Sequence, residues 1–286
     1  MAVTSTAMTI LGTSAAAAAQ DVVATIKPIH SLTAQVMEGI GSPVLLIDGA
    51  ADPHSYALRP ADAKKLGAAR LVVMVGPRLE GFLDKPLKSL AGKARILQLA
   101  KVPGIMLPED EAGMPDPHLW LDPVNAARAV EAIGRALTEI DPAHGYEYTR
   151  NAAQAKDRLL ALDRELRQAL APVRDKPFVV YHDAFRALVA RYELKMMGAV
   201  LSGAEHVARA RALAFLTTRG AQERPLCLFT APQFEPSLAR SIADSTGARI
   251  AELDDLGAAI PKGPEMYFTL MRGIAAGLRD CLGEKN

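Results

Sequence analysis

The stretch DPAHGYEYTRNAAQAKDRLLALDRELRQALAPV, residues 141–173, decides the fold of this chain. Asp141 is placed to cap the start of a helix, Pro142 suits its first turn, and Pro172 marks its end. Apolar residues recur at spacings of three and four, as one buried helical stripe requires: Ala152, Ala155, Leu159, Leu162, Leu166 and Leu170. At about 1.5 Å per residue the helix would be roughly 45 Å long, more than one small domain needs. We predict that it connects two lobes; a long surface helix is the alternative with the same periodicity.

Short apolar runs on both sides of this helix predict two α/β lobes. The runs are DVVATI, PVLLID, RLVVMVG and ARILQLA before the helix, and PFVVYHD, KMMGAV, PLCLFTA and RIAELDD after it. Their alternation with helical stretches favours mainly parallel sheets. We therefore predict an N-terminal α/β lobe over residues 21–140, a connecting helix over 141–173 and a C-terminal α/β lobe over 174–286. Because one long helix resists large hinge closure, a ligand cleft between the lobes should be largely pre-formed.

Composition excludes some classes of function. The 286 residues are half apolar, and 33 basic residues balance 32 acidic ones, so there is no net field for binding nucleic acid. Residues 1–20 carry no charge and end in an alanine run, which resembles the end of a secretory signal peptide without its basic start. We read them as an export segment; an expression scar or a disordered tail is the alternative.

The histidines suggest a metal site. Six are present: His30, His54, His118, His144, His182 and His206. His182 directly follows the FVVY run and Asp254 follows RIAEL, which places both at carboxyl ends of predicted strands, where α/β sheets bind ligands. His54 lies in a loop after VLLI, and His118 lies in the loop DPHLWLDP. Three neutral imidazoles and one carboxylate suit tetrahedral Zn²⁺, although copper and nickel would bind the same set. The spacing forms no local motif, so the residues alone leave their convergence a conjecture.

The two cysteines, Cys227 and Cys281, leave two readings open. One disulfide would tie the PLCLFTA strand to the C-terminal helix, and an exported protein would favour it. Two buried free thiols fit equally well without the export argument.

Longer motifs show a resemblance that covers nearly everything after the export segment. The motifs are TIKPIHSL, DPHSYALRPADAKKL, ARLVVMVGPRLEGFLDKPL, PHLWLDP, VVYHDAF, APQFEP and ELDDLG. In these segments the chain resembles the solute-binding components of bacterial zinc ABC importers, the ZnuA-type members of the cluster A-I metal-binding family.

The resemblance implies a site and a fold. The implied fold has two lobes, a rigid connecting helix and a metal in the cleft between the lobes. His54, His118 and His182 match the family's histidine ligands, and Asp254 matches a fourth, carboxylate ligand. Cys227 and Cys281 fall where zinc-type members carry a disulfide. His30 lies at the first helix start, where most relatives have no ligand. Among the departures, Ala231 stands where EPQF is common, so a supporting carboxylate is missing there.

The resemblance also implies a function. The expected protein is periplasmic, binds Zn²⁺ as cargo with high affinity and delivers it to the membrane permease of an ABC importer. We expect a monomer that is not an enzyme, with a metallochaperone as a further partner. One alternative is a manganese-binding member of the same family, but manganese-type relatives typically carry glutamate in place of His182. The other is a zinc hydrolase, for which no H-E-x-x-H motif or nucleophile elbow is present.

Overall fold

A computed structural model describes residues 21–110, 112–202, 207–208, 227–235 and 237–283. The predicted export segment, residues 1–20, and His206 lie outside the described residues. The strands are β1 (Val22–Ala24), β2 (Val44–Leu45), β3 (Leu71–Met74), β4 (Arg95–Gln98), β5 (Phe178–His182), β6 (Met196–Ser202), β7 (Val207–Ala208), β8 (Cys227–Thr230) and β9 (Arg249–Glu252). The helices are α1 (Lys27–Val36), α2 (Pro60–Ala68), α3 (Asp84–Ser89), α4 (Pro123–Ile140), α5 (Gly145–Leu170), α6 (Arg186–Tyr192), α7 (Ser237–Thr246) and α8 (Met266–Leu282).

The first lobe contains a four-stranded parallel sheet in the order β2-β1-β3-β4. Its central register pairs Val23 with Val44 on one side and with Val72 on the other. Every residue of β1 and β3 is buried, as expected for parallel strands covered on both faces. Because the strands are parallel, their carboxyl ends meet at one edge, and the loops after β2 and β4 leave from that edge.

The second lobe contains a five-stranded sheet in the order β7-β6-β5-β8-β9. All its pairings are parallel except the short antiparallel contact of β6 with β7. All eight apolar runs of the sequence form strands, so the predicted α/β class with mainly parallel sheets is confirmed. The two-residue β7 is an addition that no apolar run indicated.

The connecting helix α5 buries the predicted stripe, from Ala152 to Leu170. Its start differs from the prediction, because residues 142–144 form a 3-10 turn and the α-helix begins at Gly145. The predicted capping role of Asp141 is wrong. Its carboxylate accepts hydrogen bonds from His144 Nδ1 at 2.7 Å and from the Tyr148 hydroxyl at 3.0 Å, so its side chain makes no backbone cap.

One apolar core runs through both lobes, because α5 packs against α1, α4 and α8. A smaller cluster, which includes Tyr181 and Ile242, lies under α7 on the other face of the second sheet. A disulfide joins Cys227 on β8 to Cys281 on α8, so the paired reading of the cysteines is confirmed. Among the described residues, no helix is both long and apolar enough to cross a membrane.

Candidate metal site

The three histidines singled out in the sequence meet in the cleft between the lobes. Nε2 of His118 lies 3.3 Å from Nε2 of His54 and 3.3 Å from Nε2 of His182. One ligand atom from each ring lies within 4.8 Å of the other two. His118 and His182 are buried and His54 is half-buried. Two rings come from the first lobe and one from the second, so the cluster bridges the lobes.

The loop DPHLWLDP fixes His118 from several directions. Asp116 Oδ1 accepts a hydrogen bond from His118 Nδ1 at 2.6 Å, which leaves the Nε2 lone pair free to bind a metal. The ring of the fully buried Trp120 packs against the imidazole, with centroids 5.3 Å apart. Asp122 caps α4 by accepting from the backbone N–H of Val124 at 2.7 Å, as expected. The imidazole is therefore held in one orientation and one tautomer.

The surrounding charges set the pKa of His118. Burial alone would lower the pKa, but the carboxylate of Asp116 and the charges of Asp255 and Asp183 outweigh burial and raise it above its ordinary value. A raised pKa makes protons stronger competitors for Nε2, and metal binding releases the proton.

Local structure also positions the other two rings. His182 is the last residue of the buried central strand β5, which fixes its backbone at the sheet edge. Its ring lies 5.1 Å from the ring of Phe234, measured between centroids. His54 sits on the loop between β2 and α2, where Asp52 Oδ1 accepts a hydrogen bond from its backbone N–H at 2.9 Å. His182 thus lies at the end of a buried strand and His118 in a buried loop, whereas His54 lies in a loop and is half-buried.

The two acids after β9, Asp254 and Asp255, have different hydrogen-bond partners. The carboxylate of Asp254 accepts the backbone N–H groups of the next turn, at 3.1 Å from Leu256, 2.7 Å from Gly257 and 2.5 Å from Ala258. Asp254 is not in the set of ligand atoms that lie within 4.8 Å of one another among the described residues. Asp255, which the sequence reading passed over, lines the same cavity as the three imidazoles and is 3% exposed. Burial raises the pKa of its carboxyl to about 6, against the lowering effects of His118 and Gln233.

The remaining described histidines lie elsewhere. His30 is buried in α1, with Nε2 3.0 Å from the carbonyl oxygen of Pro43. His144 pairs with Asp141 next to α5. Neither belongs to the cluster of three imidazoles found among the described residues.

The sequence reading also missed Asp116, although an acid two residues before a candidate ligand is a usable signal. Carboxylates that accept the second ring N–H commonly orient metal-binding histidines.

The spacing of the three nitrogens suits a metal with short nitrogen bonds. With Zn–N bonds of about 2.0–2.1 Å, the nitrogens at two corners of a tetrahedron lie about 3.3–3.4 Å apart. The observed separations of 3.3 Å match that edge. A separate cavity of about 20 Å³, which Asp116 and Asp183 line and Asp255 does not, adjoins the three rings on another side. That volume holds about one water molecule.

Comparison with known proteins shows the family to which the chain belongs. The family "ZnuA: Zinc-uptake complex component A periplasmic" matches residues 22–281. The high-affinity zinc uptake system protein ZnuA of Brucella suis biovar 1 is 33% identical over 316 residues, covering 96% of this chain and 95% of the relative. The protein of the same name from Paracoccus denitrificans is 32% identical, with 96% of each covered. A crystal structure of a zinc-bound ZnuA deletion mutant shares the fold, with a TM-score of 0.83 at 24% identity over 94% of this chain and all of that one. The chain belongs to the ZnuA family of periplasmic zinc-uptake components.

Proposed function

We propose that this protein binds one Zn²⁺ ion in the periplasm through His54, His118 and His182 and delivers it to the membrane permease of an ABC importer. The observation that carries the proposal is the pair of 3.3 Å separations between imidazole nitrogens, which match the edge of a zinc tetrahedron. Membership of the zinc-uptake family supports delivery to a permease and export of the chain. Four points stay predictions: the lobe boundaries at residues 140 and 174, the export segment, the monomeric state and the metallochaperone partner.

The ligand set supports zinc over manganese. Imidazole nitrogen suits Zn²⁺, whereas Mn²⁺ prefers carboxylate, carbonyl and water oxygen. The three ring nitrogens lie within 4.8 Å of one another, and that set contains no carboxylate among the described residues. Asp254, named as fourth ligand by the family resemblance, stays a prediction, since its carboxylate oxygens accept backbone N–H groups in this structure.

The small cavity supports capture of an ion instead of catalysis. A hydrolase needs a substrate pocket beside the metal, and ligand pockets commonly measure about 300–1,000 Å³. The cavity beside the three rings measures about 20 Å³. We therefore propose a binding protein and not an enzyme.

Competition titration with a zinc chelator tests the proposal. We expect one zinc per chain with a Kd below about 1 µM for the purified protein, and manganese should not displace it at equal concentration. Substitution of a ligand, His118→Ala, should raise the Kd by at least about 100-fold, because the site loses one nitrogen and Asp116 loses its partner. His144→Ala is the control and should bind zinc as tightly as the natural chain. Tight zinc binding by His118→Ala, or stronger binding of manganese than zinc, would reject the assignment.

A further inference from the structure

A groove of about 440 Å³ lies between β4, the outermost strand of the first sheet, and α4. All four residues of β4 line one side of the groove, and Ala132, Arg135 and Glu139 line the other. These helix residues are three and four positions apart, so they share one face of α4. No residue of this groove lines the cavities beside the three histidines. The groove is therefore a feature separate from the metal site.

The edge of β4 that faces away from β3 is open. In the sheet that the described residues form, β3 is the one strand that pairs with β4. The backbone N–H of Arg95 donates to the carbonyl oxygen of Arg70 at 2.9 Å, so Arg95 and Leu97 bond towards β3. The alternation of a parallel ladder then turns the N–H and C=O groups of Ile96 and Gln98 outward. Such an edge is a template for pairing with another chain.

The charges beside this edge are mainly positive. Arg95, Lys101, Arg135 and Glu139 line the groove, and Arg95 forms an ion pair with Glu139. Lys101 and Arg135 are exposed, and neither forms an ion pair within the described part of the chain. Two copies of this chain that paired edge to edge would bring these like charges together, whereas an acidic chain would complement them. Charge therefore favours an acidic partner over a second copy.

The side chain of Gln98 adds a polar group to the groove wall. Its Oε1 atom is buried and accepts no hydrogen bond from the residues that the structure describes. A buried acceptor without a donor is destabilising, because it has lost its hydrogen bonds to water. An N–H group of a docked chain would satisfy this oxygen. The volume of the groove also falls in the range of roughly 300–1,000 Å³ that is usual for ligand sites.

We propose that the groove between β4 and α4 docks an extended acidic segment of a partner protein. The segment adds to β4 as a further strand through the backbone groups of Ile96 and Gln98, and its carboxylates lie beside Lys101 and Arg135. In this mode of recognition the main-chain hydrogen bonds supply affinity, and the charges supply the preference for acidic segments. Docking at β4 is independent of the three histidines and does not require bound zinc.

Fluorescence anisotropy with a labelled octapeptide of alternating valine and glutamate tests the proposal. We expect a Kd below about 100 µM at about 50 mM salt, and binding at least about 10-fold weaker at about 500 mM salt, because salt screens exposed charges. A peptide with lysine in place of glutamate should bind at least about 10-fold more weakly than the acidic peptide. Hydrogen exchange measured by NMR should slow at the amides of Ile96 and Gln98 when the acidic peptide binds, since both then donate to the added strand.

A matched pair of variants separates the groove from a general effect of charge. Arg135→Glu should weaken binding of the acidic peptide at least about 10-fold, because an attractive charge becomes repulsive. Arg164→Glu makes the same change at an exposed position of α5 and should bind the peptide as the natural chain does. Both variants should retain the zinc affinity of the natural chain, which shows that they are folded and keeps this test apart from that of the zinc site.

Four results would overturn the inference. They are no binding of the acidic peptide at about 1 mM, a concentration that still detects weak complexes; equal affinity for the lysine peptide; an equal loss in Arg164→Glu; and unchanged exchange at Ile96 and Gln98. Dimerisation of the chain through β4 would assign this edge to a second copy and would also overturn it.

Discussion

At the scale of single residues, the contact between Asp116 and His118 links zinc affinity to pH. Asp116 Oδ1 accepts from the ring at 2.6 Å, and its charge contributes to the raised pKa of His118. Since Nε2 must lose its proton to bind metal, zinc affinity should start to fall at a pH above the ordinary histidine value of about 6.5.

Asp116→Asn should move this pH dependence. The amide oxygen can still accept the Nδ1–H bond, but the negative charge is lost, so the pKa of His118 falls. The decline in zinc affinity should then begin at a lower pH than in the natural chain, with about a 10-fold weaker affinity at pH 8. Competition titrations from pH 5.5 to 8 measure both effects. Asp110→Asn is the control, because Asp110 lines the same cavity but pairs with Arg78. An equal or larger shift in the control would contradict the assigned role of Asp116.

The sequence pointed to the three histidines that cluster, but it could not predict which partners the side chains of Asp254 and Asp255 would have. Each histidine stood in a loop or at a strand end, and parallel strands bring such positions to one edge, so their meeting could be anticipated with the family resemblance. Asp254 and Asp255 are neighbours of the same type. The backbone of their loop accepts hydrogen bonds from Trp120, at the carbonyl oxygen of Asp255, and from Lys27, at that of Ala258. Both donors are more than 100 residues away in the chain, so no local pattern encodes these contacts.

At the scale of elements, α5 is tied to the second lobe by an ion pair. Asp163 on α5 accepts two hydrogen bonds from Arg191 on α6, at 2.7 and 2.5 Å, and one from the Tyr192 hydroxyl at 3.2 Å. Burial tends to raise the pKa of Asp163, but the Arg191 bonds outweigh burial and lower it below its ordinary value. The carboxylate therefore stabilises the fold in its ionised form.

Asp163→Asn should reduce the free energy of unfolding by about 1–3 kcal/mol at pH 7, because Arg191 loses a charged partner. The contribution of a depressed carboxyl is present above its unfolded pKa of about 3.9 and is lost as pH falls through the lower folded value. The difference between natural chain and variant should thus be constant from pH 5 to 8 and shrink below about pH 4. Urea unfolding at several pH values measures it.

Glu165→Gln supplies a matched control on the same helix. Glu165 pairs with Arg272 on α8 at 2.8 Å, but both side chains are about half exposed. Exposed pairs contribute about 0–1 kcal/mol, so the control should lose less than Asp163→Asn. Equal losses in the free energy of unfolding would show that the pair of Asp163 with Arg191 stabilises the fold no more than an exposed ion pair does.

The elements themselves were largely predictable from apolar periodicity. All eight strand runs and the buried stripe of α5 were identified, because burial imposes a period that the sequence must satisfy. The start of α5 was not, since Asp141 had side-chain partners in His144 and Tyr148 that competed with capping. Strand β7 has two residues and leaves no periodic signal.

At the scale of the whole molecule, the two lobes share one core and several polar ties. The core continues through α5 and α8. Two residues of α1 donate hydrogen bonds to backbone carbonyl oxygens after β9: Lys27 Nζ to Ala258, and Ser31 Oγ to Pro264 at 2.9 Å. Separating the lobes would expose apolar surface and break these bonds together. Release of the ion should therefore proceed by rearrangement of the loop that carries His54, because the loop of His118 is buried and held by Asp116 and Trp120.

This rigidity predicts a small difference between zinc-free and zinc-loaded protein. The angle between the two sheets should change by no more than a few degrees, while the loop around His54 should differ most, because His54 is only half-buried. Solution scattering and crystal structures of both states measure the change. A wide opening of the lobes in the zinc-free protein would refute loop-based release.

The most direct test of the central claim is a crystal structure of the zinc-loaded protein with anomalous diffraction measured at the zinc edge. The account predicts a single zinc peak in the cleft, with bonds of about 2.0–2.1 Å to Nε2 of His54, His118 and His182. A zinc peak outside the cleft, or one bonded to fewer than all three of these rings, would contradict it.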